Sequence, residues 1–153
     1  SEYMRLYDTD PVKVLSVQSE KEELEKRIAK NVWFMIQALN TQQVIGEVSL
    51  GGIDHRIGNA WLGIGIGNRD FWGKGYGTEA MRLILGFGFR ELNLRRVSLN
   101  VIEYNERAIH AYEKIGFVVE GTSRKSVLRC GRRWDVIYMG ILREEWEARN
   151  PPD

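Results

Sequence analysis

Gly73, Gly75 and Gly77 alternate immediately before a run of residues with helical periodicity. Loop N–H groups and a helix N-terminus together make an anion site, because unpaired donors converge where the macrodipole is positive. Glycine lets the backbone approach phosphate oxygens closely, and Lys74 adds a charge. Two familiar phosphate loops do not fit. The P-loop needs Gly, four residues, then Gly-Lys-Ser/Thr. Here five residues separate Gly67 from Gly73-Lys74, and Gly75 stands where the hydroxyl belongs. The dinucleotide fingerprint needs G-x-G-x-x-G opening a βαβ unit, whereas this loop reads G-x-G-x-G after strands arranged as hairpins.

A second glycine series lies just upstream. Gly63, Gly65 and Gly67 alternate with Leu62, Ile64 and Ile66, leaving one face of a strand bare. Glycine weakens a strand, so this pattern points to a ligand or another backbone against that face, or to a bulge. Steric relief for Trp33 or Trp61 is the alternative. Other reactive types are sparse. His55 has a pKa suited to a base but falls in a loop, as a surface histidine would. Cys130 sits in a turn beside Gly131, which argues against a nucleophile. Arg129, Arg132 and Arg133 read as a solvated turn rather than a nucleic-acid patch. Two histidines and one cysteine are too few for a zinc cluster, and no metal is expected.

The elements that must hold these residues can be read in order. Ser19 and Glu22 have capping-box spacing for a helix running to about Lys30, with Leu24 and Ile28 on one face. Trp33 to Ile36 and Val44 to Leu50 read as a hairpin, Gly51 to Asn59 as a loop, and Ala60 to Gly67 as a third strand. A helix is expected over Ala80 to Leu92, from the stripe Ala80, Leu83, Ile84 and Phe87. Val97, Leu99 and Val101 alternate as a strand. Asn105 caps a helix carrying Ala108, Ile109, Tyr112 and Ile115, which Gly116 ends. Phe117 to Val127 and Trp134 to Leu142 form a final antiparallel pair, and Arg143 to Arg149 a helical tail.

The chain has 153 residues, 43% of them apolar and 28% charged, the balance of one soluble globular domain over 1–153, and its mixed strands and helices make the expected class α/β. A net charge of +1 gives no global pull toward nucleic acid or membrane. The polar start, Ser1 to Asp10, is unlike a signal peptide, no apolar run approaches a membrane span, and one thiol fits a reducing cytoplasm.

Trp72-Gly73-Lys74-Gly75-Tyr76-Gly77 resembles the pyrophosphate loop of the GNAT family of N-acetyltransferases, R/Q-x-x-G-x-G/A. Asn105 to Phe117 resembles the family's second motif, N-x-x-A-x-x-x-Y-x-x-x-G-F, and Glu120-Gly121, Arg124 and Gly131 to Asp135 look like its ribosomal-protein alanine and spermidine acetyltransferase branch. The resemblance covers about Ser19 to Leu142. It implies the GNAT fold: a mixed, mostly antiparallel sheet with flanking helices and a splayed, bulged strand pair. The family's first strand has no counterpart upstream of Ser19, so a sheet edge at Val44 to Leu50 or a neighbour, covered in a homodimer, is expected.

The implied activity is acetyl transfer from acetyl-CoA to a primary amine, either a small amine or polyamine or a protein N-terminus, by direct attack in a ternary complex. The implied cofactor contacts are Ile64, Gly65, Ile66, Trp72, Gly73, Lys74, Gly75, Tyr76, Gly77, Thr78, Asn100 and Asn105. Trp72 stands at the R/Q position, which shifts pyrophosphate binding toward backbone amides. The oxyanion donor is expected on the bulged strand at Ile64 to Gly67. Tyr112, on spacing alone a core aromatic, matches the family's general acid. A lysine-like amine of pKa ~10.4 is about one part in a thousand neutral at pH 7, so a base is required. Asn100 matches a position where some members keep a glutamate base. Glu47, which interrupts an apolar strand, is the first candidate for that role, and Glu103 the second. The alternatives are a non-catalytic CoA-binding regulatory domain of the same fold and a general nucleotide-binding module.

Overall fold

The computed structural model describes residues 18, 21, 22, 25 and 31–152. Gln18, Lys21, Glu22 and Glu25 are helical; the rest of the helix expected from Ser19 to Lys30, with Leu24 and Ile28, lies outside the described residues. The order that follows is β1 (Val32–Ala38), β2 (Gln43–Asp54), β3 (Asn59–Ile66), a 3₁₀ turn (Arg69–Phe71), α1 (Tyr76–Arg90), β4 (Arg96–Ile102), α2 (Glu106–Ile115), β5 (Val118–Arg129), β6 (Arg132–Leu142) and α3 (Arg143–Arg149). This is the α/β class expected.

The six strands form one sheet in the order β1-β2-β3-β4-β6-β5. Every neighbouring pair is antiparallel except β3 and β4. That parallel pair joins Asn59–Trp61 to Arg96–Ser98 and goes no further, so the strands part beyond Trp61 and Ser98. Val44 to Leu50 is not an edge, because β1 and β3 flank it. Among the described residues the outer strands are β1 and β5.

The register of β2 on β3 is unbroken from Gly46/Ile66 to Gly51/Trp61 and shifts between Gly51 and Asp54. The irregularity therefore falls at Gly52, with φ +56°, and not at Ile64 to Gly67. Sequence reading ended β2 at Leu50 because Gly51-Gly52 resembles a loop. The strand instead carries on through the glycines to Asp54.

The core lies between the sheet and α1. Ala80, Met81, Ile84, Leu85 and Phe89 are buried on α1 and pack with Val48, Leu50, Leu62, Val97, Leu99 and Ile141 of the strands. Burying such side chains removes apolar surface from water, the main favourable term in folding. Gly88 makes the approach possible, since a Cβ there would lie 3.0 Å from Leu50 Cδ1 and 3.1 Å from Leu94 Cδ1. Trp146 of α3 closes one end against Phe89, with ring centres 5.4 Å apart. A smaller cluster of Ile102, Val127 and Val136, flanked by Tyr104 and Trp134, supports β5 and β6. Arg129 belongs to this end and is 6% exposed, so it is buried rather than solvated. Its guanidinium donates to the Leu128 carbonyl at 3.0 Å.

Candidate functional site

A cavity of about 200 Å³ opens where β3 and β4 part. One wall is β3, from Ile64 through Gly65 to Ile66, and the facing wall is Asn100, Val101 and Ile102 of β4. α2 closes the side with Ala108, Ala111 and Tyr112, and Asn105 stands at its cap. The glycine loop and first turn of α1 form the mouth, through Trp72, Gly73, Gly75, Tyr76, Gly77 and Thr78. Both motif regions of the sequence thus meet in one cavity.

Two of the loop's three glycines are required by their backbone conformation. Gly73 and Gly75 have φ of +68° and +88°, where a Cβ is strained. Gly75 is the residue from which α1 departs, so the helix starts at Tyr76 rather than at Ala80. Gly77 has no such φ, and a Cβ there would sit 3.9 Å from Ile64 Cδ1, an ordinary contact. Starting at Tyr76 puts the first-turn N–H groups of α1 at the cavity mouth, where helix donors have no partner within the helix.

Trp72 fastens the loop to the strand. Its indole N–H donates to the Ile66 carbonyl at 2.7 Å. The Arg107 guanidinium lies 3.9 Å from the centre of the same ring, and that of Arg69 lies 5.3 Å from it. Burial, and then the charge of Arg69, hold the Arg107 pKa below its ordinary value. Tyr76 packs edge-on against Phe71 at 5.5 Å, and its hydroxyl meets Asn40 Oδ1 at 3.3 Å.

On α2, Asn105 Oδ1 accepts from the Ala108 N–H at 3.3 Å, as the cap requires. Gly116, at φ +121°, ends the helix as expected. Tyr112 meets Phe117 edge-on at 6.0 Å while also lining the cavity. It is therefore both a packing residue and a wall residue.

Three candidate site residues, Lys74, Glu47 and Glu103, do not line the cavity. Lys74 turns toward Phe71, with Nζ 5.9 Å from the ring centre. Glu47 lies on β2 in register with Gly65, whose backbone does line the cavity. Glu103 is elsewhere: its Oε1 accepts from the Asp135 N–H at 2.9 Å, and Lys125 Nζ is 3.8 Å away. That places Glu103 in the β5–β6 framework. His55 is in the turn after β2, and Cys130 is exposed at the β5–β6 turn with φ +50°. Sequence reasoning missed Phe71, Met81, Val101, Ile102, Arg107, Ala108 and Ala111 as wall residues. Among the described residues no cluster of His, Cys, Asp and Glu could hold a metal, and no helix is long and apolar enough to cross a membrane.

The walls are largely apolar, with Arg107 as the charged side chain among the described lining residues, and the mouth is rich in backbone amides. Comparison with known proteins places the chain among acetyltransferases. The chain is 34% identical over 113 residues to the uncharacterized N-acetyltransferase p20 of Bacillus licheniformis, covering 74% of this chain and 63% of that one. It is 36% identical over 105 residues to the spermidine N(1)-acetyltransferase of Escherichia coli K12, covering 69% of this chain and 56% of that one. It thus spans about three-fifths of these relatives. The crystal structure of spermidine N-acetyltransferase from Vibrio cholerae in complex with CoA and spermine superposes with a TM-score of 0.82 at 29% identity, over 92% of this chain and 82% of that one. The model of the acetyltransferase (GNAT) domain matches residues 1–118, and the chain belongs to the GNAT family.

Proposed function

We propose that the protein is an acetyl-CoA-dependent N-acetyltransferase that passes the acetyl group directly to a primary amine, with both substrates bound together. The observation that carries this reading is the cavity between the parted strands, with a glycine-rich anion site at its mouth and a tyrosine on its wall. The acceptor is a small amine, such as a polyamine, or a protein N-terminal amine. The spermine-bound structural neighbour supports the amine class.

In this reading the amides from Gly73 to Thr78 hold the pyrophosphate, aided by the positive end of α1. Beyond Trp61 and Ser98 the facing edges of β3 and β4 do not pair with each other. They offer N–H and C=O groups to the amides of a pantetheine arm. Acetyl-CoA supplies the activated acyl group. A backbone N–H from Ile64 to Gly67 stabilises charge on the carbonyl oxygen as the amine attacks. A carboxylate base takes the amine's proton, and Glu47, opposite Gly65, is assigned that role. The Tyr112 hydroxyl gives its proton to the departing sulfur; a phenol of pKa ~10 is protonated at pH 7.

The test is CoA release over a panel of polyamines, small amines and peptides with free N-termini. Turnover with at least one amine is expected. CoA binding without turnover on any of them would instead mark a non-catalytic CoA-binding domain.

A further inference from the structure

Helices α1, α2 and α3 all contribute to the core on one side of the sheet, which takes Val48, Leu62, Leu99 and Met139 from the strands. Side chains alternate across a strand, so Gly63 and Gly65 turn their bare face to the other side, as Trp61 turns its ring. Residues directly paired across antiparallel strands share a face. Glu47, paired with Gly65, therefore stands on that side, and so does Tyr138, paired with Asn100.

These residues surround the place where β3 and β4 part. Trp61 belongs to the last pair of the parallel seam, opposite Ser98. Its ring meets that of Tyr138 edge-on at 6.4 Å, so an aromatic pair reaches from β3 to β6 over β4. Both rings are incompletely covered, at 46% and 38% exposure. Gly65 and Asn100 both line the cavity, so the cavity and this far face meet at the gap. From Trp61 to Gly65 an extended strand runs about 13 Å, floored by glycine. Ser49 Oγ lies over Gly63, 2.9 Å from where a Cβ would be, and gives this floor a hydroxyl.

Charge narrows what the face can hold. Gly140 is on the same face as Tyr138, and the Arg96–Glu120 ion pair lies over it. A Cβ at Gly140 would come within 2.6 Å of Arg96 Nη2. The Glu120 carboxylate is thus engaged, and a guanidinium stands beside the aromatic pair. A second ammonium on the ligand would meet a like charge there, whereas an apolar group would meet two rings and a glycine floor.

We propose that Trp61 and Tyr138 set the acceptor specificity by seating an aromatic or apolar body, with the reacting amine at the gap beside Glu47 and Gly65. The acceptor class is an arylalkyl monoamine, and a polyamine is the poorer substrate. This rests on the acetyl-transfer reading above and names the substrate class for it.

The experiment measures kcat and KM for phenethylamine, hexylamine, hexamethylenediamine, spermidine and a peptide N-terminus at saturating acetyl-CoA. The wild type is expected to prefer phenethylamine, then hexylamine. Trp61→Ala should raise the KM for phenethylamine by about 10-fold or more, with kcat and the KM for acetyl-CoA nearly unchanged and the diamine little affected. Tyr138→Ala, on the other side of the gap, should show the same selective loss, and Trp61→Phe should recover part of it. A wild type that acetylates the diamine, spermidine or the peptide in preference to phenethylamine overturns the inference and leaves acetyl transfer standing. So does an equal loss in both alanine variants for every amine, which is the signature of a loosened sheet, or no loss in either. A wild type that releases CoA with no amine overturns the acetyl-transfer reading itself.

Discussion

The indole N–H of Trp72 and the carbonyl of Ile66 are joined at 2.7 Å, so the glycine loop is tied to the end of the strand that lines the cavity. Trp72→Phe keeps a ring but removes this donor and narrows the platform under Arg107. The lost hydrogen bond should cost about 1 kcal/mol of stability. CoA affinity should fall as well, because the loop loses its register. Urea unfolding together with a CoA titration checks both effects. Unchanged affinity would show that the loop is positioned independently of this bond.

Gly46 is the residue on which Gly65 rests. A Cβ at Gly46 would lie 2.1 Å from the Gly65 carbonyl oxygen, a backbone atom that moves only with its strand. Gly46→Ala should destabilise by about 1–3 kcal/mol, the usual cost of overpacking, and weaken CoA binding by shifting the β3 wall. Gly67→Ala is the control, because a Cβ there meets nothing within 4 Å. Thermal unfolding of the two variants separates close approach from strand propensity.

Tyr112→Phe removes one oxygen and little volume, so the contact with Phe117 survives. If the phenol protonates the leaving thiolate, turnover should fall by about 10²-fold or more at nearly constant CoA affinity. Turnover near the wild-type value, with chemistry shown to be rate-limiting, would remove Tyr112 from the mechanism.

Glu47→Gln keeps the shape of the side chain opposite Gly65 and removes its basicity. As the amine's base, Glu47 should contribute at least 10²-fold to turnover near neutral pH. The deficit should shrink at high pH, where the acceptor loses its proton unaided. Rate profiles of both proteins from pH 6 to about 10 would read this. A uniform deficit across the range would assign the loss to packing.

Asp135 supplies the pH dependence expected of the framework. The Lys125 backbone N–H donates to Asp135 Oδ1 at 2.8 Å. That bond first, and then the Lys125 charge, hold the carboxyl below its ordinary 3.8, with burial opposing. A depressed folded pKa contributes stability above the unfolded value, and that stability is lost as pH falls through the folded one. Asp135→Asn can still accept the N–H bond but carries no charge. Its melting temperature should therefore fall less steeply than the wild type's below about pH 4. Parallel melting curves against pH would show that the ion pair is inert.

Local signals marked residues that the fold brings to one cavity. The glycine loop, the Asn105 cap, the Gly116 stop and the alternation of Val97, Leu99 and Val101 are properties of a few adjacent residues, and each is found where the spacing puts it. Properties that depend on a distant neighbour were not legible. Gly51-Gly52 looks like a turn until β1 and β3 hold the strand through it. No sequence signal singles out Arg107, whose place on the cavity wall depends on α2 lying beside Trp72. Arg129 reads as part of a charged turn until Ile102, Val127 and Val136 gather at that end of the sheet.

The short parallel seam also has a mechanical meaning. Strands β1–β3 and β4–β6 are two leaves, which among the described residues pair as strands at Asn59–Trp61 and Arg96–Ser98, with the Gly58 carbonyl accepting from the Arg95 and Arg96 N–H groups beside them. Few backbone bonds join the leaves, so their cohesion falls largely to the core that α1 builds across both of them. A molecule lodged between the leaves adds to that cohesion. Its binding is thermodynamically linked to the integrity of the whole sheet, and hydrogen exchange along the seam should slow as it binds.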